Sequence, residues 1–343
     1  MALETVACPL CGQSSSFIGI EVPDTDLHIR KYGALYAGRT ISEWKVCGRC
    51  GFVHQNPRPS IDALNEFYTR SQYHTRLNGS SAQEHLSFAR WYYGEKVAYT
   101  LKHSGLTRGR VFDIGCGQGG VLKLYEELGW KPYGVEPDRR LSDFAINELG
   151  LSGVRQGILD SHFALAEKVD LVFSNHAFEH FADLDQVMQG VRNILRPGGY
   201  LFIAIPTYFR NMTSISKRWM NSGHYSLFTH NSLNNLLARY GFEEVSHTYS
   251  GWIKESDDLW YLARYTEKGG DPRVYFEDPK KVSRYLRVVN PVRTFVLYPV
   301  YLSRMARVRM NSAIRLLFSS PALFLQKVRS KIRNWLGLAQ GEK

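Results

Sequence analysis

Residues 110–120 read Arg-Val-Phe-Asp-Ile-Gly-Cys-Gly-Gln-Gly-Gly: a short apolar run with an acid inside it, then four glycines in six residues. Such a run bounded by glycine reads as a buried strand, and 121–128 follow with the apolar spacing of a helix. A strand that passes into a helix on glycines must cross over and pair in parallel with the next strand. The pattern repeats. Strands are expected at 132–136, 154–157, 169–174 and 200–205, with helices at 139–149 and 183–195, the latter stopped by Pro197-Gly198-Gly199. This alternation predicts an α/β fold with a doubly wound, mostly parallel sheet. Beyond it, 231–240 reads as a helix ended by Gly241, and 242–249 and 259–265 alternate as strands. Ahead of it, 59–105 reads as an aromatic-rich helical connector or cap. The expected organisation is four parts: 1–58, 59–105, 106–266 and 267–343.

Gly115, Gly117 and Gly120 satisfy the G-x-G-x-x-G pattern of a dinucleotide turn. Glu136 closes the second strand, where a carboxylate can hold ribose hydroxyls. Asp113 separates the alternatives. It stands two residues before the first glycine, where a carboxylate is a poor neighbour for a pyrophosphate. It suits a ligand carrying an ammonium and a sulfonium, since opposite charges attract strongly in a partly dry cleft. That ligand is S-adenosylmethionine.

Asp113-x-Gly115-x-Gly117-x-Gly119 resembles the first motif of class I S-adenosylmethionine-dependent methyltransferases. The likeness continues through Gly134-Val135-Glu136-Pro137-Asp138, Val169-Asp170-Leu171-Val172, Phe178-Glu179-His180-Phe181, Leu195-Arg196-Pro197-Gly198-Gly199 and Gly223-His224-Tyr225, in the family's order. It implies a seven-stranded sheet over 106–266. It further implies that Asp113, Gly115 and Gly117 contact the methionine moiety and that Glu136 binds the ribose. Asp160, after the third strand, would meet the adenine amine, or is a plain surface acid. Asn175 would face the methyl group. Cys116 reads as small core filler.

His176-Ala-Phe-Glu179-His180 also matches the H-x-x-E-H of a zinc peptidase, which needs both histidines on one helix. Here the motif begins at a strand end. Some quinone O-methyltransferases use E-x-x-E-H for a divalent ion, and this chain has His176 in place of the first acid. No catalytic metal is expected on that basis.

Two C-x-x-C pairs, Cys8/Cys11 and Cys47/Cys50, each run into glycine, the form of a zinc knuckle. Four thiolates on two knuckles make a closed, structural tetrahedral site. Zinc is the expected ion, iron the alternative, and two disulfides are disfavoured in a reducing compartment. With the segments around Asn56-Pro57-Arg58-Pro59, Phe67-Tyr68 and Tyr73-His74, this front end resembles that of zinc-ribbon methyltransferases that modify deoxysugars and surface-polysaccharide precursors. That resemblance implies a small-molecule or glycan-precursor acceptor, either a sugar nucleotide or a lipid-linked saccharide. A hydroxyl acceptor also needs a proton sink. The candidates are His224 first, then His176 and His180. Arg210, Lys217 and Arg218 either neutralise a diphosphate or form a solvated face.

The net charge of +11 is uneven. From residue 279 onward there are fourteen Lys and Arg and one acid, which leaves the remainder at −2. Leu325, Val328, Ile332, Trp335 and Leu336 recur at helical spacing among Lys327, Arg329, Lys331 and Arg333. A basic amphipathic helix of this kind lies on an anionic membrane surface or packs on protein. The near-neutral body argues against an extended nucleic-acid face, so an RNA substrate ranks below a small molecule. No run approaches the roughly 20 apolar residues of a spanning helix. The N-terminus has no signal-peptide pattern, so the expected location is the cytoplasm, peripheral at the inner face of the membrane if the tail docks there.

Overall fold

A computed structural model describes residues 3–23, 32–33, 35–36, 38–70, 81–208, 219–250, 258–268 and 276–292, with isolated positions at 295, 296, 303, 307 and 310. The chain divides into two compact units, Met1–Pro291 and Val292–Lys343. Every described strand lies in the first unit. The helix proposed around Trp335, and Arg210, Lys217 and Arg218, lie outside the described residues.

The N-terminal part contributes β1 (Leu3–Glu4), β2 (Phe17–Pro23), β3 (Ile41–Cys47), β4 (Val53–Gln55) and β5 (Arg58–Pro59). Two helices follow, α1 (Ile61–Arg70) and α2 (Ala82–Ser104). Ser81 caps α2 by accepting from the Glu84 amide, and Gly105 closes it in the left-handed region at φ 70°.

The wound segment then runs β6 (Arg110–Ile114), α3 (Gly120–Glu127), β7 (Lys131–Glu136), α4 (Arg139–Asn147), β8 (Val154–Gln156), β9 (Val169–Asn175), α5 (Leu184–Ile194) and β10 (Leu195–Pro206). It continues through β11 (Ser226–Leu227), α6 (His230–Arg239), β12 (Phe242–Ser250), β13 (Asp258–Tyr265) and α7 (Pro279–Arg284). The Thr229 and Ser232 side chains reciprocally cap the start of α6.

Seven strands form one sheet in the order β12-β13-β10-β9-β6-β7-β8. β10, β9, β6, β7 and β8 pair in parallel, and β13 is antiparallel to both of its neighbours. The pleat divides the core. Phe112, Ile114, Val172 and Ile203 face one side, with α5 and α6. Val111, Leu171, Phe173 and Phe202 face the other, with α3 and α4. Both faces are covered, which is why these strands are mostly apolar on both sides of the pleat.

Leu195 corrects one expectation. The proline and glycines do not separate helix from strand by a loop. Leu195 already pairs with Val169, the register slips, and pairing resumes at Tyr200 with Leu171, so Pro197–Gly199 sit in an irregularity inside β10.

Successive strands lead away from β6 in opposite directions: β7 and β8 to one side, β9 and β10 to the other. The crevice at the carboxyl ends of β6 and β9 is therefore the switch point where such sheets take a ligand.

Candidate active site

Asp113 sits within β6, one residue from its end, Glu136 closes the adjoining β7, and both are buried. Glu136 is aimed by two backbone amides: Gly117 N–H donates to Oε2 at 2.8 Å and Asp138 N–H to Oε1 at 2.9 Å. The first bond ties β7 to the glycine turn. Gly117 itself sits at φ 54°, and a Cβ built there would meet nothing within 4 Å, so the turn opens onto free space. Burial, and then the Glu136 charge, push the Asp113 carboxyl well above its usual range. Burial likewise raises Glu136 to about 7, against the lowering effect of its two amide partners. Two buried carboxylates at neighbouring strand ends are electrostatically incomplete, and a cation between them would restore both charges.

The residues present fit S-adenosylmethionine. Asn175, at the end of β9, keeps a buried Oδ1 with no hydrogen-bond partner among the described residues. Its loop adjoins the turn, since a Cβ on Gly115 would lie 3.5 Å from that of Ala177. Asp160 lies beyond β8 and accepts the His162 amide at 2.9 Å within its own loop. Cys116 is buried among Val121, Leu122 and Phe173, as expected of core packing.

Across from the turn stands a second group of polar residues. His176 adopts a left-handed φ of 53°, uncommon outside glycine and a form of strain that clusters at functional sites. Its Nε2–H donates to Asp258 Oδ2 at 3.0 Å and its Nδ1–H to Glu179 Oε1 at 3.2 Å. Burial works against the charge on His176, but Asp258, Tyr92 and Glu179 outweigh it and hold the pKa well above the ordinary value. Both ring nitrogens of His176 thus face carboxylates, an arrangement that favours the charged ring. The 178–180 segment is a single 3-10 turn, so the two histidines of the H-x-x-E-H pattern do not share a helix.

His180 and His224 meet from different parts of the chain, their ring centroids 4.6 Å apart. His180 Nδ1–H donates to the Gly223 carbonyl, and His224 Nδ1–H to the Trp219 carbonyl, both at 2.7 Å. Burial, then the His180 charge, lower His224 to about 3, so its ring is neutral. The Trp219 indole stacks near both His176 and His224, at 6.1 and 5.8 Å.

Residues 59–105 add side chains that sequence patterning did not single out. Tyr92 and Lys96 come from α2, with Lys96 Nζ 4.0 Å from the Tyr92 ring centroid and 5.6 Å from that of Trp260. Tyr92 hydrogen-bonds Asn175, and its hydroxyl is lowered, burial opposing and the His176 and Lys96 charges prevailing. Asp258 was equally invisible, because only the register of β13 on β10 brings it opposite Pro206.

The four paired cysteines converge. Cys8 and Cys50 sulfurs lie 3.6 Å apart, as do those of Cys11 and Cys47. The separation is too long for disulfides and close to the roughly 3.8 Å between sulfurs of a tetrahedral zinc–thiolate site. The knuckles are alike: Gly12 N–H returns to Cys8 O and Gly51 N–H to Cys47 O, both at 2.9 Å, with φ of 72° and 73°. This module is joined to the active site by hydrogen bonds. β4 pairs with β11, Ser226 opposite His54 and Leu227 opposite Val53, beginning two residues after His224. Gln55 N–H donates to the Tyr225 carbonyl at 2.9 Å, and the Tyr36 hydroxyl to the Ser222 carbonyl at 2.8 Å.

Residues 85–247 match the family model described as "Methyltransferase domain". The chain is 29% identical over 161 residues to the C-methyltransferase NovU of Streptomyces niveus, covering 44% of this chain and 37% of that protein. It is 28% identical over 171 residues to a ubiquinone biosynthesis O-methyltransferase of Rhizobium etli, covering 45% and 68%. It thus spans little more than a third of the first relative's length and about two thirds of the second's. A solved S-adenosylmethionine-dependent methyltransferase from Mesorhizobium loti aligns with a TM-score of 0.42 at 18% identity, covering 51% of this chain and 97% of that one. The matched span from α2 to β12 holds both buried acids, the glycine turn and all three site histidines. That span is what resembles a methyltransferase domain.

Proposed function

We propose that this chain transfers a methyl group from S-adenosylmethionine to the hydroxyl of a small molecule, a glycan precursor carried on a nucleotide or a lipid. The observation that carries the reading is the pair of buried carboxylates, Asp113 and Glu136, on either side of the glycine turn at the switch point. Asp113 takes the ammonium of the methionine moiety beside Gly115 and Gly117. Glu136 takes the ribose hydroxyls, Asp160 the adenine amine, and Asn175 lies beside the methyl.

In the reaction the acceptor oxygen attacks the methyl carbon as the sulfur–methyl bond breaks. S-adenosylhomocysteine leaves as a neutral thioether, and the hydroxyl proton passes to a site histidine, His224 the first candidate with its Nδ1–H held by the Trp219 carbonyl, and on to solvent. Most of the acceleration comes from holding donor and acceptor in line at about 3 Å. His176, His180 and His224 line the acceptor side, His176 as a fixed cation and His224 as a neutral ring. One zinc on Cys8, Cys11, Cys47 and Cys50 stabilises the ribbon and, through β4 and β11, the loop that carries His224. The glycan acceptor is supported by the joint occurrence of ribbon and methyltransferase motifs in the sequence.

The basic tail would hold the enzyme at an anionic membrane surface, next to a lipid-linked acceptor. Labelled methyl transfer into extracted sugar-nucleotide, lipid-linked glycan and RNA pools tests this function. Label in the first two supports it; label in RNA alone, or in none, rejects it. Co-sedimentation with anionic liposomes, lost on truncation after Pro279, tests the tail.

A further inference from the structure

Two basic side chains, Arg58 and Lys96, are buried among the described residues, and they are matched differently. Arg58 meets Glu4 at 3.3 Å and donates to the Ala182 carbonyl. Lys96, on α2, is only 3% exposed. Among the described residues its ammonium forms no ion pair and no hydrogen bond. It lies over ring faces instead: Nζ is 4.0 Å from the Tyr92 centroid, 5.6 Å from that of Trp260 and 5.8 Å from that of Tyr93. An aromatic face attracts a cation, yet it replaces only part of the hydration that a buried ammonium loses. A second donor stands beside it. The Trp260 indole Nε1–H is buried and has no acceptor among the described residues. Buried donors without acceptors are uncommon, and two side by side call for an acceptor that the protein does not supply.

Their place in the sheet indicates which ligand supplies it. Trp260 stands opposite Ala204, and Ala204 opposite Asn175, so the three form a row across β13, β10 and β9. Tyr92, one helical turn before Lys96, hydrogen-bonds Asn175. Lys96 is therefore on the half of the sheet that ends in Asn175 and Asp258. Asp113 and Glu136 occupy the other half, on β6 and β7. The acids on the Lys96 half, Asp258 and Glu179, are turned to His176. A cationic donor thus meets two buried acids, and whatever lies across from it meets a buried ammonium. One ammonium balances one carboxylate. A diphosphate carries more charge and is better matched by the planar fork of arginine.

We propose that Lys96 and the Trp260 N–H form a subsite for a carboxylate of the acceptor, which makes the substrate a hydroxy acid, such as an acidic sugar, rather than a neutral one. The identity of the carboxylate as the acceptor's rests on the methyl-transfer reading; the anion subsite itself does not.

The test uses the full chain saturated with S-adenosylhomocysteine. The probes are glucuronate and glucose, a pair that differs in the carboxylate, and acetate as a minimal carboxylate. In calorimetric titration the parent should bind glucuronate at least about tenfold more tightly than glucose, and acetate should compete with glucuronate. Lys96→Met keeps a long chain against the rings and removes the charge. It should weaken glucuronate by about 10–100-fold, the worth of a hydrogen bond to a charged group, and erase the preference over glucose. Lys96→Arg should retain the preference. S-adenosylhomocysteine should bind Lys96→Met within about threefold of the parent. A larger loss in a variant that melts as a folded protein would mean that Lys96 holds the donor's own carboxylate, and it overturns the assignment. The proposal is equally overturned if the parent does not distinguish glucuronate from glucose, or if Lys96→Met keeps the preference. Should Lys96→Met misfold, the parent's preference and its competition by acetate decide. A parent that does not bind S-adenosylhomocysteine would defeat the methyl-transfer reading, and the same titrations on the ligand-free chain would still test the subsite.

Discussion

The two sides of the cleft are built differently. The donor side comes from one uninterrupted stretch: β6, the glycine turn, α3 and β7 put Asp113, Gly117 and Glu136 together within 24 residues. The acceptor side draws on five separate places. Tyr92 comes from α2, Glu179 and His180 from the turn after β9, Trp219 and His224 from beyond β10, Asp258 from β13, and the clamp on the loop from the ribbon. A local motif folds as a unit with its sheet, whereas a site assembled across the chain depends on every element that positions it. The two sides should therefore fail separately.

The largest separation should follow loss of the ribbon metal. Structural zinc sites contribute folding energy directly, and here the ribbon holds the His224 loop through β4 and β11. Cys47→Ser should lower turnover by at least about 100-fold while leaving S-adenosylmethionine affinity within about threefold. An equal collapse of donor affinity would erase the distinction between the sides. A smaller effect is expected within the acceptor side. Asp258→Asn removes the largest influence raising the His176 pKa and breaks a buried charge pair, at a cost of about 3 kcal/mol of stability. Turnover should drop on the order of tenfold and its pH profile should move to lower pH, with donor affinity again spared. An unchanged profile would mean that His176 does not act as a cation.

The smallest effect is in stability against pH. Glu136 is raised from 4.5 to about 7, so the stability it contributes is complete below 4.5 and is lost as pH rises through 7. Glu179 is depressed from 4.5 to about 2, so its contribution is present above 4.5 and is lost as pH falls through 2. The ligand-free protein should lose about 2–4 °C in Tm between pH 5 and 8 from the donor side alone. Glu136→Gln should shrink that loss and leave the part carried by Asp113, and a melting profile identical to the parent's would show that Glu136 is not among the groups responsible.

Legibility in the sequence follows the same division. The β6 range is the one that the glycine pattern predicts, and β7, β9 and α4 differ by only a residue or two at their ends. Periodicity and turn residues act over short distances, and the donor side is local. The cysteine cluster was also readable, because two C-x-x-C knuckles each carry half of a tetrahedron. What stayed hidden required tertiary pairing. Nothing near His224 announces that β11 adds to the ribbon sheet, or that Asp258 will reach His176. Lys96 carries no sequence signal, and only the fold brings its ammonium against the Tyr92 and Trp260 rings. His176 matched a metal motif by spacing, and its backbone turn at φ 53° sends the ring elsewhere.

The most direct test is calorimetric titration of S-adenosylmethionine into the parent chain, Asp113→Ala and Glu136→Ala. The parent should bind with one-to-one stoichiometry. Each substitution should weaken binding by about 10–100-fold, the worth of a hydrogen bond to a charged group, while thermal melting shows both proteins folded. A parent that does not bind, or two variants that bind as tightly as the parent, would contradict the account.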